Sequence, residues 1–253
     1  MIYTQRKRAL RTVGRILPWV LLPLIILALA GAAFLTFNGL LTYREAVREK
    51  PLSVRIDEVR AREDYVTLGQ MPSLYPQAVV AVEDHRFYVH CGIDLISVCR
   101  AVLTNLRAHA AVEGGSTITQ QLAKNLLFSQ EKTVVRKAAE VFAAFDLEQM
   151  YSKTELLELY INTIYYGSDY TGLTAAARGY FGCRPSRLSD VQCTLLVGLP
   201  QAPSAYTPEN DPDLTLQRHR QVLDSLVSEG VLTQDRADTL AQQAAGTLRR
   251  WMK

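Results

Sequence analysis

The chain has 253 residues, 48% of them hydrophobic, and a formal net charge of +3. That length holds one well-cored domain with an appendage, or two small domains. The charge is unevenly spread: Arg6, Lys7, Arg8, Arg11 and Arg15 fall in residues 1–15 with no acid among them, which leaves the rest of the chain at −2 and excludes a broadly basic nucleic-acid binder.

Directly after the basic cluster, Ile16 to Tyr43 carries no charge at all. A membrane-spanning helix needs only about 20 apolar residues, and Pro18 and Pro23 sit near its start, where such a helix tolerates them. A cleaved signal peptide competes, because Ala28-Leu29-Ala30 has the small-residue pattern of a cleavage site. The apolar run continues past it, well beyond a signal core of about 7–15 residues, which favours a retained anchor. The expected organisation is therefore a cytoplasmic basic tail at 1–15 and a transmembrane anchor at 16–43, with everything beyond on the outer side of the cell membrane. Residues 44–72, charged and punctuated, read as a stalk leading into one domain over 73–253.

From Ser73 onward the pattern is mostly helical. A short apolar stretch, PQAVVAVED, ends in the paired acids Glu83 and Asp84, and a loop, HRFYVHCGI, follows. Asp94 is placed to cap a helix running to about Ala108. In GGSTITQQLAKN, Ile118, Leu122 and Leu126 share one helical face. Thr117, Gln120, Gln121 and Lys124 lie on the opposite face, and Thr117 with Gln120 has capping-box spacing. The glycine-led helix start should offer free N–H groups to an anion. Ser152 and Glu155 repeat the capping box and start another helix, while Gly198 and Pro200 stop a later one. Two amphipathic helices around Gly230 close the chain, the second capped by Thr233. No convincing alternating strand pattern follows the anchor, so the predicted class is mainly α.

Four cysteines, Cys91, Cys99, Cys183 and Cys193, follow the anchor. Two disulfides, Cys91 with Cys99 and Cys183 with Cys193, and four free thiols are both open readings in an exported domain. No CxxC is present, and His85, His90, Cys91 and Cys99 lack a familiar zinc spacing, so metal ligation through sulfur is not expected.

Two carboxylates stand out. Glu83 has an apolar wall on one side, which desolvates it, raises its pKa and makes it a better base near neutrality. Glu140 lies four residues after Arg136 on one helix face, with Lys137 and Lys132 nearby. Either acid could instead serve an ordinary cap or surface ion pair. Lys124, Lys132, Arg136 and Lys137 cluster in a region otherwise short of positive charge, and such a set around a helix start suits a diphosphate. Ser129-Gln-Glu-Lys132 matches SxxK, but the partner Ser-Asp-Asn and Lys-Thr-Gly patterns are missing downstream, so Ser129 is rejected as a nucleophile.

Five ordered stretches together carry a resemblance: VAVEDHRFYVHCGID, GGSTITQQLAKNLL, RKAAEVFAAFDLEQMYSKTELLELYIN, GLTAAARGYFG and LLVGLPQAPSAYTP. They resemble the motifs of the peptidoglycan glycosyltransferases, glycosyltransferase family 51, over about residues 70–245. The resemblance implies a two-lobed, lysozyme-like helical domain whose smaller lobe touches the bilayer, of the monofunctional type without a transpeptidase domain. It implies lipid II and the nascent glycan strand as substrates, and leaves other cell-wall synthesis proteins open as partners. Glu83 matches the catalytic base for the acceptor's 4-hydroxyl, and Glu140 the second essential glutamate on the diphosphate side. Ser116, Gln120, Gln121, Lys124, Lys132, Arg136 and Lys137 match positions associated with the donor's diphosphate and sugar; Asp84, Phe87 and His90 shape the first loop. A divalent cation, magnesium or manganese, is the one cofactor the resemblance leaves open. Cys183 and Gln192 depart from the family's usual Lys and Glu. A lysozyme-like hydrolase or lytic transglycosylase could use one acid glutamate on the same fold, but has no need of the basic set. An inactive module that binds lipid-linked precursor would need neither glutamate.

Overall fold

A computed structural model describes residues 2–108, 114–128, 133–207 and 210–251. Its helices are α1 (Ile2–Glu49), α2 (Leu52–Arg60), α3 (Leu74–Glu83), α4 (Leu95–Ala108), α5 (Ile118–Leu127), α6 (Val134–Met150), α7 (Lys153–Thr163), α8 (Leu173–Phe181), α9 (Asp190–Gly198), α10 (Pro203–Tyr206), α11 (Pro212–Ser228) and α12 (Gln234–Trp251). Among the described residues there is no strand, only the isolated bridges Cys91–Ile93 and Tyr165–Thr171. The mainly α class is as the sequence predicts.

The helix starts follow side-chain chemistry legible in the sequence. Thr117 Oγ1 accepts from the Gln120 N–H while Gln120 Oε1 accepts from the Thr117 N–H, and Ser152 with Glu155 does the same at α7. Thr133 caps α6 and Asp211 caps α11. Gln192 accepts from the Ser189 N–H, so this departure from the family's glutamate keeps a capping box at α9.

Two groups of helices form the core. α5 packs between α6 and α7, while α9 packs against α3, α11 and α12. Ile118 and Leu122 of α5, Leu156 and Tyr160 of α7, Leu195 and Leu196 of α9, and Leu226 and Leu240 of the last two helices are all buried. Burial of each such side chain stabilises the fold by roughly 1.5–3 kcal/mol. By contrast α4 turns Leu95, Ile96, Val102, Leu103 and Leu106 outward, and Tyr88 and Val89 just before it are exposed as well.

The apolar N-terminal run is long and hydrophobic enough to cross a membrane. Helix α1 does not stop at residue 43 but continues to Glu49. Its last turns lie along α6, with Gly39 and Tyr43 buried and Tyr43 OH donating to Asp146. The segment 44–72, expected as a stalk, holds the end of α1 and all of α2, whose Leu52 and Ile56 are in the core. Arg55 draws these pieces together: Nε and Nη2 donate to Lys50 O and Ala46 O at the end of α1, and Nη1 to Leu126 O at the end of α5.

The four cysteines are free, which corrects the two pairings. Cys91 is held in its bridge with Ile93, Cys99 faces outward on α4, and Cys193 is buried on α9.

The contact between α1 and α6 depends on a glycine. A Cβ on Gly39 would lie 2.6 Å from Ala138 Cβ and 3.0 Å from its carbonyl carbon, whereas a Cβ on Gly31, higher in the same helix, would meet nothing within 4 Å. Gly39→Leu is expected to destabilise the protein by about 1–3 kcal/mol through overpacking. Thermal unfolding in detergent should show a Tm lowered by roughly 2–4 °C per kcal/mol, with Gly31→Leu unchanged.

Candidate active site

Glu83 is the last residue of α3 and Asp84 its C-cap, so the pair sits where apolar helix gives way to loop. The two acids face different ways. Asp84 is buried and accepts from His90 Nε2 at 2.9 Å and from the Ile118 N–H at 3.0 Å. Thr117 Oγ1 donates to Gly92 O at 2.6 Å. These bonds fasten the first loop to the start of α5, and Phe87 fills the space beneath it, fully buried.

The same bonds correct one expectation. The Ile118 N–H is taken by Asp84 and the Gln120 N–H by Thr117, so these donors of the α5 N-terminus are engaged by protein. Of the preceding glycines Gly115 serves packing: a Cβ there would lie 3.1 Å from Val98 Cα on α4, whereas one on Gly114 would meet nothing within 4 Å. An anion near this helix start would be held by side chains.

Those side chains converge. A cleft of about 350 Å³ is lined by Glu83, Ser116, Gln121, Lys124, Arg136, Lys137, Glu140 and Arg218, among others. Glu140 is 1% exposed; its Oε2 accepts from Lys137 Nζ at 2.8 Å and its Oε1 lies 3.3 Å from Arg136 Nε. Lys137 Nζ also donates to Ser116 Oγ at 2.6 Å, joining the loop before α5 to α6. Lys124 stands in the same cleft; burial lowers its pKa, Glu140 raises it, and Arg136 and Lys137 lower it further. Gln120 is absent from the lining, being buried and used in the capping box. Lys132, and with it the Ser129–Lys132 motif, lies outside the described residues.

Glu83 stands at a junction. A second compartment of about 340 Å³ shares Glu83, Gly114, Ser116, Gln201 and Arg218 with the first, and extends past His85, Ser97 and Arg100. Burial pushes the Glu83 carboxyl above the ordinary glutamate range. A hydrogen bond from Gln121 Nε2 at 2.8 Å and the charges of Arg218 and Lys124 act in the opposite direction, while Asp84 adds to the rise. A larger cavity of about 720 Å³ between α8, α9 and α12 has no carboxylate, cation or histidine in its lining.

Arg218 is the residue the sequence reading missed. It lies on α11, and its Nε donates to Gly198 O at 3.3 Å while the guanidinium sits 5.8 Å from the centre of the Tyr206 ring. The sequence carries no signal for it, since only the packing of α11 on α3 and α9 brings it to Glu83.

Among the described residues no group of three His, Cys, Asp or Glu side chains could hold a metal ion. The oxygens of Glu140 face Arg136 and Lys137. Among the described residues the donor set therefore forms no protein cage for a divalent cation.

The helical domain thus sets a carboxyl of raised pKa in a cleft lined by cations, an arrangement able to accept a proton beside an anionic group. Among known proteins, residues 49–227 match the model of the transglycosylase family. A Cupriavidus necator chain described as a transglycosylase is 40% identical over 215 residues, 85% of this chain and 91% of that one. Penicillin-binding protein 1A of Aquifex aeolicus is 44% identical over 169 residues, covering 67% of this chain but only 23% of its own length. The crystal structure of penicillin-binding protein 1A from Haemophilus influenzae aligns at 26% identity over 50% of this chain and 15% of its own, with a TM-score of 0.35. The chain belongs to the transglycosylase family, the peptidoglycan glycosyltransferases.

The raised carboxyl of Glu83 gives a pH prediction. If Glu83 accepts a proton in the reaction it must be ionised, so kcat/KM should fall as pH drops through a limb lying above the ordinary glutamate value of about 4.3. Arg218→Met removes a charge that favours the carboxylate, and should move that limb to higher pH; an unmoved limb would separate Arg218 from the base.

Proposed function

We propose that this chain polymerises lipid II into β-1,4-linked glycan strands, with Glu83 as general base and the cations of α5 and α6 holding the donor's diphosphate. The position of Glu83 between two compartments, only one of which carries Lys124, Arg136, Lys137 and Glu140, supports this reading most. The acceptor occupies the compartment past His85 and Ser97, and the growing strand's diphosphate the cation-lined one.

The oxygen of the acceptor's 4-hydroxyl attacks the anomeric carbon of the donor sugar. Its proton passes to Glu83 as the new C–O bond forms. The bond from the anomeric carbon to the diphosphate breaks, and its electron pair leaves with undecaprenyl diphosphate. A single displacement of this kind inverts the α-linked donor to a β linkage. Lys124, Arg136 and Lys137 face the negative charge growing on the diphosphate, where fixed cations lower the barrier most. Glu140 sets Arg136 and Lys137 in position, and Ser116 adds a hydroxyl. A hydrolase has no use for this basic set.

The apolar faces fit a substrate carried on a lipid. Helix α1 crosses the membrane with Arg6, Lys7, Arg8, Arg11 and Arg15 on the cytoplasmic side, and the domain lies outside. The exposed Leu95, Ile96, Leu103 and Leu106 of α4 rest on the bilayer, bringing the cleft to the plane of the lipid headgroups.

Incubation of the purified chain with lipid II tests the proposal: long glycan polymer is the expected product, and soluble disaccharide released without polymer would contradict it. Glu83→Gln keeps the size of the side chain and loses the proton acceptor, so polymerisation should fall by about 10²–10⁴-fold. Lys124→Ala should both weaken donor binding and slow departure of the diphosphate. Near-wild-type polymerisation by Glu83→Gln would remove Glu83 as base.

A further inference from the structure

The base is held by a second layer of side chains. Gln121 Nε2 donates to Glu83 Oε2 at 2.8 Å, and Tyr160 OH donates to Gln121 Oε1 at 3.2 Å. A primary amide has one donating and one accepting end, and a flip exchanges them. Which end meets Glu83 decides what Glu83 can be. An N–H···O contact suits a carboxylate, whereas the amide oxygen would repel it. Tyr160 determines the choice, because a hydroxyl that donates to the amide oxygen leaves the NH₂ end pointing at Glu83.

Tyr160 is well placed for that task. It is fully buried on α7, on the α5-facing side of the core, and burial raises its pKa well above the ordinary tyrosine range, so it remains protonated. Near it Tyr75 and Tyr166 share a hydroxyl–hydroxyl bond, and Tyr180 OH donates to Tyr166 O at 2.9 Å, so these tyrosines are tied to one another. The other charged and titratable groups facing Glu83 are Asp84 beside it in the chain, Lys124 from α5, Arg218 from α11 and Tyr166 after α7. Of these, Arg218 and Lys124 act by charge alone. Gln121 contributes a directed bond and carries it to Tyr160, whose hydroxyl also interacts with Glu83 directly.

We propose that Tyr160 is a positioning residue for glycosyl transfer: from beside Glu83, and through Gln121, it holds the amide's NH₂ end on Glu83 Oε2 and keeps the carboxylate set to take the proton of the acceptor hydroxyl. The inference rests on Glu83 being the base. It assigns Gln121, matched by resemblance to donor contacts, a role toward the base as well. Both residues lie far from Glu83 in sequence, at separations of 38 for Gln121 and, from Gln121 to Tyr160, a further 39.

Tyr160→Phe removes only the hydroxyl and tests the relay. With lipid II as substrate, kcat should fall roughly tenfold, the effect of losing about 1.4 kcal/mol of hydrogen bonding, while binding of undecaprenyl diphosphate stays at the wild-type level. The acid limb of kcat/KM should move to higher pH, because the bond that favours ionised Glu83 is loosened; a purely structural role of Tyr160 would not move it. Gln121→Leu breaks the same relay one step closer to the base, so the double variant should lose less than the product of the two single losses. Losses that multiply in the double variant, or a Tyr160→Phe enzyme with wild-type kcat and an unmoved limb, would overturn the relay. If Glu83→Gln is inactive and Tyr160→Phe is unaffected, the relay alone fails. If Glu83→Gln retains activity, the assignment of the base fails.

Discussion

The site depends on one buried charge. Glu140 is 1% exposed, and a carboxylate removed from water is tolerable only where cations and donors replace the solvent. Arg136 and Lys137 do so from the same helix. Lys137 then reaches Ser116, so the glycine-led loop, helix α5 and helix α6 are tied at a single ammonium. Removing one partner of such a pair leaves a buried charge uncompensated, at a cost of about 3–5 kcal/mol. The arrangement explains how three cations can stand in one cleft without driving it apart. Glu140 offsets their mutual repulsion and keeps them directed at the place an anionic leaving group would occupy.

Helix α6 is correspondingly fixed from its other side. The membrane helix packs along it through Gly39 and Tyr43, and Tyr43 OH bonds to Asp146. The helix that carries the cations is thereby joined to the helix that enters the bilayer. The side chains that α6 contributes to the cleft are thereby coupled to the apolar N-terminal helix through one packing contact. Glu83 belongs to the other group of helices, at the end of α3, where α9 and α11 form its surroundings. Glu83 and the cations therefore come from different helices of one continuous core and meet across the cleft.

Much of this was legible in the sequence where the signal is local. The capping boxes at Thr117 and Ser152, the Asp94 cap and the α6 row of Arg136, Lys137 and Glu140 follow from spacing along a helix. So did the apolar wall that desolvates Glu83. Tertiary neighbours were not legible. Arg218 and Tyr160 reach the site only through packing of α11 and α7, and nothing in their local pattern distinguishes them. The α5 N-terminus misled for the same reason: its free N–H groups are real in an isolated helix, but Asp84, 34 residues earlier, occupies one of them. Charge in residues 44–72 suggested a stalk, yet Arg55 is the group that binds α1, α2 and α5 together.

The central claim is a division of labour: the α5 and α6 cations hold the diphosphate, and Glu83 moves a proton without contributing to that grip. Equilibrium binding of undecaprenyl diphosphate, measured in the same detergent for wild type, Glu83→Gln and Lys137→Ala, tests it directly. The account predicts wild-type affinity for Glu83→Gln and a loss on the order of tenfold or more for Lys137→Ala, which removes a charge-assisted contact worth about 1.5–3 kcal/mol. Equal losses in the two variants, or a loss in Glu83→Gln alone, would contradict it.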